Sequence, residues 1–361
     1  MNEPLCKAVD LLFLRFELTD LDAQKEYFEH FGLQLLDESA DTIWYRGTGI
    51  APFCYCATRG EQNRFVSAGY YVDSRDQLEA VASAFDTLIF SSKEPGGGEK
   101  VVVTDPDGIG VELFFGITFA TPDRQPPPSL NSGVEKTRIN KLQRIGKDAG
   151  EWKLEDGEWR YKLTSRVMRI GHYAINVSDA EESINWYAQT LGFLISDNLV
   201  MPDGRRTGAF MRVNQGDKPV DHHSINIVGP RKGREGYEGT FGHGGFELSG
   251  SVDDLMAGHF RMKTHGKYIH EWGIGRHLLG SQIYDYWRDP AGFTLEHWID
   301  GDLVDASRPP ADVPARNFAL GQYGPLPPST FNLSIPNDQV KPWREKHVPV
   351  VEMLKAFEDE S

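Results

Sequence analysis

The 361-residue sequence lacks three features that would place it in other classes of protein. Its 38 Lys and Arg residues are outnumbered by 53 Asp and Glu, so the net charge is −15, and we expect neither nucleic acid nor a membrane surface as a partner. It has only three cysteines, an odd number, which favours buried thiols in a reducing compartment. It has no apolar run of membrane-spanning length, and we expect no targeting segment at its start. These absences predict a cytoplasmic globular protein that acts on a small molecule.

The sequence contains an internal repeat. Residues 16–28, followed closely by Phe31-Gly-Leu, parallel residues 175–187, followed by Leu191-Gly-Phe. Both segments have the pattern of a strand, a polar cap, an amphipathic helix, a Gly stop and another strand. Within each half a second strand leads into a second helix in the same way. We therefore predict an α+β fold of two domains, each built from two βαβββ modules.

Three polar residues in apolar alternating runs form the candidate metal site. His172, His243 and Glu296 each lie in such a run, where an inward imidazole or carboxylate needs a partner. Two neutral imidazoles and one carboxylate form the 2-His-1-carboxylate set of non-haem Fe(II) oxygenases. The sequence predicts Fe(II) here, and Mn(II) suits the same ligands. His297 competes for the role of Glu296, but strand neighbours alternate between faces, and the repeat register favours Glu296.

The other half of the repeat serves as an internal control. Aligning the halves places Phe13 opposite His172 and Glu112 opposite Glu296, and it places Ser67, or Val66 with a shifted gap, opposite His243. The N-terminal half keeps the carboxylate but has neither imidazole. We therefore expect one metal site per chain.

The repeat and the composition together predict domain boundaries. We expect a metal-free N-terminal pair of modules over residues 1–117 and a catalytic C-terminal pair over residues 166–304. The proline-rich and charged residues 118–165 are typical of a linker or surface excursion, and residues 305–361 form an extension. This extension is predicted to pack over the domain surface or a neighbouring subunit, and we expect a homo-oligomer.

These motifs resemble those of the type I extradiol ring-cleavage dioxygenases of the vicinal oxygen chelate superfamily. In that family a Gly-His motif opens the C-terminal domain, as in Gly171-His172-Tyr-Ala-Ile-Asn-Val, and a second histidine precedes a strand, as in His243-Gly-Gly-Phe. A glutamate closes the last strand, as Glu296 does. The resemblance covers roughly residues 8 to 304. It implies an Fe(II) enzyme that cleaves a catecholic ring with O2 to a ring-opened semialdehyde or keto acid.

The resemblance also implies three catalytic residues. The second member of the pair His222-His223 matches the family's acid-base histidine, and His277 and Tyr286 match its pocket histidine and tyrosine. Alternation along a strand would turn His222 away from the site. Two departures from the family pattern concern the substrate: the loop between His223 and His243 is longer than usual, and Leu279 replaces a residue that is often polar.

Other interpretations remain open at this stage. A metal-dependent glyoxalase or epimerase could share the fold, but such relatives draw Glu or Gln ligands from both modules. A metal-free module similar to drug-binding resistance proteins would need no such triad. We expect surface or structural roles for His259, His265 and His270. Three aromatic residues could line the pocket or pack in the core: Phe210, Trp272 and Trp287. The three glycines that start at Gly96 are interpreted as a turn.

Overall fold

The computed structural model describes residues 3–124, 151–155, 158–162, 166–231 and 233–348. No helix within these ranges is both long enough and apolar enough to cross a membrane. Most of the predicted linker lies outside the described residues. Its described part forms a two-stranded antiparallel ribbon of β9 (Glu151–Glu155) and β10 (Glu158–Lys162), numbered in chain order with the elements below. The predicted domain boundaries stay a prediction.

The N-terminal half forms one sheet from two βαβββ modules. Its elements are β1 (Asp10–Leu18), α1 (Leu21–Phe31), β2 (Gln34–Glu38), β3 (Thr42–Arg46), β4 (Tyr55–Arg59), β5 (Arg64–Tyr71), α2 (Arg75–Ala84), β6 (Phe90–Ser91), β7 (Glu99–Thr104) and β8 (Gly110–Phe115). The strand order is β2-β3-β4-β1-β5-β8-β7-β6. The first strand of each module, β1 or β5, lies at the centre of the sheet, and the two pair antiparallel.

The C-terminal half repeats this plan in a larger sheet. Its elements are β11 (Val167–Asn176), α3 (Ala180–Leu191), β12 (Leu194–Val200), β13 (Arg206–Arg212), β14 (Val220–Asp221), β15 (Ile225–Val228), β16 (Thr240–Leu248), α4 (Val252–His265), β17 (His270–His277), β18 (Ile283–Arg288), β19 (Thr294–Ile299), β20 (Leu303–Val304), β21 (Ala311–Pro314), a 3-10 helix (Ala315–Ala319), β22 (Gly321–Tyr323) and α5 (Asn337–Lys346). The order is β21-β12-β13-β15-β11-β16-β19-β18-β17-β22, with β14 and β20 paired separately.

Matching caps explain why the two halves fold alike. Asp20 accepts hydrogen bonds from two backbone N–H groups at the start of α1, and Asp179 does the same for α3. Both helices end at a glycine with left-handed backbone, Gly32 at φ 103° and Gly192 at φ 71°. A side chain would strain this conformation. The capped strand–helix–strand unit read from the sequence is therefore confirmed in both halves.

One apolar core joins the two halves. It includes residues of the central strands β1 and β11, and Tyr70 of β5 donates a hydrogen bond to the hydroxyl of Tyr173 on β11 over 2.9 Å. The described residues after 304 extend the C-terminal sheet. They add β21 and β22 to opposite edges of that sheet, where β21 pairs with β12 and β22 pairs with β17, the strand that ends at His277.

Candidate metal centre and active site

Three adjacent central strands bring His172, His243 and Glu296 together. Gly245 on β16 pairs with His172 on β11 and with Glu296 on β19. All three polar residues are buried, and one ligand atom from each lies within 4.8 Å of the others. His172 Nε2 is 2.9 Å and His243 Nε2 is 3.9 Å from Glu296 Oε2. A side chain at Gly245 would collide with the His172 ring, since an added Cβ would lie 2.3 Å from its Cε1.

The protonation states of Glu296 and His243 fit a divalent metal ion. Burial raises the pKa of Glu296, but His172 and His277 outweigh it and hold that pKa at about 2. Burial lowers the pKa of His243 to about 4. A carboxylate and a neutral imidazole at pH 7 are what a metal site requires. Glu296 Oε1 is buried without a hydrogen-bond partner among the described residues, so the protein leaves one oxygen of this carboxylate available to a ligand.

The extension after residue 304 holds one of these histidines in place. His243 Nδ1 donates to Asn332 Oδ1 over 2.6 Å, and Phe331 stacks on the His243 ring at a centroid distance of 5.6 Å. This bond leaves Nε2 as the nitrogen directed toward Glu296. An outer hydrogen bond of this kind sets the tautomer and orientation of a metal-binding histidine.

We expect Asn332→Gly to weaken metal binding by about 10- to 100-fold, the usual effect of losing such a partner. Glycine suits this position because Asn332 has a positive φ of 62°, so the loss reports the missing acceptor and not backbone strain. Asn332→Asp keeps the acceptor and is the control. Metal titration of both apoproteins checks this, and equal affinities for the two variants would contradict it.

The equivalent place in the N-terminal half is filled by cations of the protein itself. Gly69 pairs with Phe13 and with Glu112, as Gly245 does with His172 and Glu296, and the same register places Ser67, not Val66, opposite His243. Glu112 accepts from Ser67 Oγ over 2.6 Å, and Arg15 and Lys100 each approach it to 2.7 Å. Those two positive charges neutralise Glu112, as a bound divalent ion would neutralise Glu296.

His223 lies against the candidate metal ligands, and its ring centroid is 4.3 Å from that of His172. Burial, followed by the charges of neighbouring histidines, lowers the pKa of His223 well below its usual value, so the ring is neutral at pH 7. Its Nδ1 lies 3.2 Å from His222 Nδ1. Nε2 is therefore the nitrogen free to exchange a proton.

The expected alternation of His222 and His223 does not apply. β14 ends at Asp221 and β15 begins at Ile225, so the pair lies in a bend and not in a strand. Both rings are buried and meet through their Nδ1 atoms, while His222 Nε2 lies 2.7 Å from Asp197 Oδ2. Arg308 of the extension binds the other Asp197 oxygen at 2.9 Å. His222 is thus a support for His223.

His277 and Tyr286 face the same cavity, with His277 Nε2 2.9 Å from the Tyr286 hydroxyl. Burial, with the charge of Glu296, raises the pKa of Tyr286 well above its usual value, so its hydroxyl stays protonated and can donate a hydrogen bond. The structure thus brings together all six residues singled out from the sequence. The cavity is small, about 20 Å³, and is lined by His172, His223, His243, His277, Tyr286, Phe210, Asn226, Leu279, Gln282, Phe318 and Phe331.

The remaining candidates have structural roles. His297 bonds the backbone oxygen of Phe31 on the opposite face of the sheet. His259 and His270 both contact Asp285 Oδ1, at 3.0 and 2.8 Å, and Trp287 donates to Asp285 Oδ2. His259, His270 and Asp285 are a second cluster of potential metal ligands, but their side chains are already paired with one another by hydrogen bonds. Trp272 packs on Tyr286, and His265 stacks on His30. The three cysteines are buried free thiols, as expected. Gly96, Gly97 and Gly98 form a turn with positive φ.

Sequence reasoning missed the contributions of the extension and of Asp197. Phe318, Phe331 and Asn332 lie in a proline-rich stretch without periodicity, so nothing in the pattern of the sequence indicated them. Asp197 had a weak signal, since it is a buried carboxylate within strand β12, where a charge needs a partner.

Comparison with known proteins agrees with this fold. Residues 169–297 match the family model described as the Glyoxalase/Bleomycin resistance protein/Dioxygenase superfamily. The chain is 27% identical to metapyrocatechase 2 of Cupriavidus necator over 73% of this chain and 71% of that protein. It is 22% identical to an iron-dependent extradiol dioxygenase of Rhodococcus jostii over 82% of this chain and 90% of that protein.

Solved structures with the same fold include members with different chemistry. A Mn(II)-bound glyoxalase from Novosphingobium aromaticivorans superimposes with a TM-score of 0.66 at 21% identity, over 91% of this chain and 97% of the other. Homoprotocatechuate 2,3-dioxygenase from Arthrobacter globiformis does so with a TM-score of 0.63 at 20% identity, over 88% of each chain.

The four βαβββ modules and these matches define a two-domain protein of the vicinal oxygen chelate, or glyoxalase-like, fold. The resemblance to the extradiol ring-cleavage dioxygenases is confirmed by these matches.

Proposed function

We propose that this protein is an Fe(II)-dependent extradiol dioxygenase, which cleaves a catecholic ring next to one hydroxylated carbon and incorporates both atoms of O2. The supporting observation is the grouping of these residues: one ligand atom each of His172, His243 and Glu296 lies within 4.8 Å of the others. His172 and His243 line the same cavity as His223, His277 and Tyr286. A ring cleavage of this kind needs a metal with open positions and a proton-transfer group beside it.

The protein would hold the ion through His172 Nε2, His243 Nε2 and a Glu296 oxygen. A bound divalent ion with these ligands would carry a net charge of about +1, and it would supply the Lewis acid that binds the catechol oxygens and O2. A singly deprotonated catechol makes the site neutral, which favours binding of that form over the neutral diol.

The pocket side chains would handle the protons. His223 Nε2 accepts the proton of the second catechol hydroxyl and returns it later in the reaction, which its neutral state at pH 7 permits. His277 and the Tyr286 hydroxyl, which already bond each other, hydrogen-bond the substrate oxygens. Phe210, Leu279 and Phe331 keep water from the ring.

Oxygen uptake by anaerobically reconstituted protein tests the proposal. We expect one O2 consumed per catechol and two ¹⁸O atoms in the ring-opened product when ¹⁸O2 is used. A screen of simple, biaryl and polyhydroxylated catechols identifies the substrate. Conversion of a substrate without oxygen uptake, in an isomerase-type reaction, would refute the dioxygenase assignment and favour a glyoxalase-type enzyme.

Metal analysis provides a second, independent prediction. We expect one iron per chain, lost in His172→Ala, with none at Glu112, because Arg15 and Lys100 already neutralise that carboxylate. The Ser67→His variant is the matched control, and it should bind no added ion while both cations remain. Two equivalent ions per wild-type chain would show that this account of the repeat is wrong.

A further inference from the structure

A second group of potential metal ligands lies where strand β18 faces helix α4. It consists of His259 on α4, His270 at the start of β17 and Asp285 on β18, and one ligand atom from each lies within 4.8 Å of the others. We call these three residues the Asp285 cluster. Tyr286, the next residue after Asp285, lines the active-site cavity. Because strand neighbours point to opposite faces, the cluster and the candidate active site lie on opposite sides of the sheet.

The geometry of the Asp285 cluster is similar to that of the candidate metal centre. His259 Nδ1 and His270 Nε2 lie 3.0 and 2.8 Å from the same oxygen, Asp285 Oδ1. The two rings are nearly perpendicular, with planes at 83° and centroids 5.0 Å apart, so they converge on this oxygen and do not stack. In the metal centre His172 Nε2 likewise contacts Glu296 Oε2 at 2.9 Å. Hydrogen bonding within a set of potential ligands is thus common to both sites and is compatible with a bound ion.

The charge of Asp285 is the reason to expect a cation here. Its side chain is fully buried. Burial raises its pKa, but the hydrogen bonds from His259 and His270 outweigh that effect and hold the pKa below its usual value, so the residue is ionised at pH 7. Among the described residues, no Lys or Arg forms an ion pair with Asp285, unlike Glu112, which has two cationic partners. A buried carboxylate needs positive charge nearby, and an ion between the three ligand atoms would supply it.

The distances suit a small divalent ion. A tetrahedral Zn²⁺ ion with bonds of about 2.0–2.2 Å separates its ligand atoms by roughly 3.3–3.6 Å. Each imidazole nitrogen therefore needs to move away from Asp285 Oδ1 by less than about 1 Å to admit the ion. The His270 side chain is 32% exposed, whereas those of His259 and Asp285 are buried, so the ion and a water ligand can enter from the His270 side.

A tryptophan holds the carboxylate in the orientation that such an ion requires. Trp287 Nε1 donates to Asp285 Oδ2 over 2.6 Å, which leaves Oδ1 as the oxygen that faces both imidazoles. The Trp287 ring also packs on both histidines, with centroid distances of 5.6 Å to His259 and 4.7 Å to His270. An outer hydrogen bond and an apolar surround orient the ligands of a metal site.

We propose that the Asp285 cluster binds one Zn²⁺ ion through His259 Nδ1, His270 Nε2 and Asp285 Oδ1, with water as the fourth ligand. Imidazole nitrogen and carboxylate oxygen are zinc ligands, and zinc favours four ligands in a tetrahedron. The ion would be structural, since it joins α4 to β17 and β18 on the face of the sheet away from the active-site cavity. This site does not depend on the proposed ring-cleaving function.

Zinc titration of the anaerobically iron-loaded protein tests the proposal, with iron and zinc measured on the same samples. We expect one zinc per chain and an unchanged iron content. His270→Gln and His259→Asn should each lose this zinc. Their amide nitrogens stand close to the positions of the histidine Nε2 and Nδ1, so both variants can keep the hydrogen bond to Asp285 while losing an imidazole ligand. Trp287→Phe keeps all three ligands but removes the outer hydrogen bond, and its zinc affinity should fall by about 10- to 100-fold.

His265→Gln is the matched control, since His265 lies on the same helix but outside the cluster and stacks on His30. It should bind zinc as the wild type does. Zinc should also raise the melting temperature of wild type and His265→Gln but not that of His270→Gln or His259→Asn, because an ion that binds only the folded protein stabilises it. If one ligand variant does not fold, the other and Trp287→Phe still report on the same site.

Three results would overturn the proposal. Zinc uptake matched by iron release would place the zinc at the candidate metal centre. Zinc binding that His265→Gln abolishes and His270→Gln retains would place it at the His30–His265 pair. Absence of zinc binding would show that the Asp285 cluster is held by hydrogen bonds alone.

A protein that holds no iron would contradict the proposed function but not this inference. The same titration of the metal-free protein then decides on the cluster. One zinc fewer in His270→Gln than in wild type supports the proposal, and equal numbers overturn it.

Discussion

Glu296→Gln is expected to lose its metal on dialysis and to show almost no oxygen uptake with catechols. Glutamine keeps the size and one oxygen donor but removes the negative charge, so the bound ion would carry about +2 and the catecholate complex would no longer be neutral. Glu296 is buried, and the protein holds its pKa at about 2, so the residue is fully ionised at neutral pH. Metal analysis and an oxygen electrode measure the two losses separately.

Glu112→Gln is the matched control, since Glu112 occupies the same place in the N-terminal half. We expect metal content and oxygen uptake within a few-fold of wild type. This variant leaves Arg15 and Lys100 without their shared carboxylate, so its free energy of unfolding should fall by about 3 kcal/mol, the scale for breaking a buried ion pair. A Glu296→Gln protein that retained metal and activity would remove the basis for the proposed function.

The second large effect is expected for His223→Ala, which should lower turnover by about 10²-fold or more, as for other positioned proton-transfer groups. Metal content and anaerobic substrate binding should stay near wild type, because in the proposed site His223 contacts the ligand His172 without being a ligand itself. Single-turnover measurements on the preformed anaerobic complex isolate this step from binding.

His222→Ala is the comparison, and its loss of turnover should be smaller. His222 supports His223 through the Nδ1 contact and is itself held by Asp197, so its removal loosens a ring that remains present. If His222→Ala were the more damaging change, the proton-transfer role would belong to His222.

Periodicity and repetition predicted much of the fold because they act locally. The capped helices α1 and α3 and the turns at Asp105 and Asp289 follow from short-range chemistry, in which an Asp side chain satisfies backbone N–H groups and a glycine adopts positive φ. The grouping of His172, His243 and Glu296 was also predictable. Each lies on a central strand whose neighbours are set by the repeated module, and the other half supplied the comparison.

The extension could not be assigned in this way because its contacts are distant in sequence. Asn332 meets His243 across 89 residues, and Arg308 meets Asp197 across 111. Neither contact leaves a periodic signal. His222 was misjudged for a related reason: the alternation rule requires a strand, and the chain bends between Asp221 and Ile225.

The sequence by itself determined the module, its repetition and the set of polar residues in one half, since these depend on local capping and on alternation along strands. Only the tertiary structure decided how the two carboxylates are neutralised. Glu112 has Arg15 and Lys100 beside it, whereas Glu296 is buried beside His172, His243 and His277. The physical reason is that the cost of a buried charge depends on the groups around it, and those groups come from separate strands.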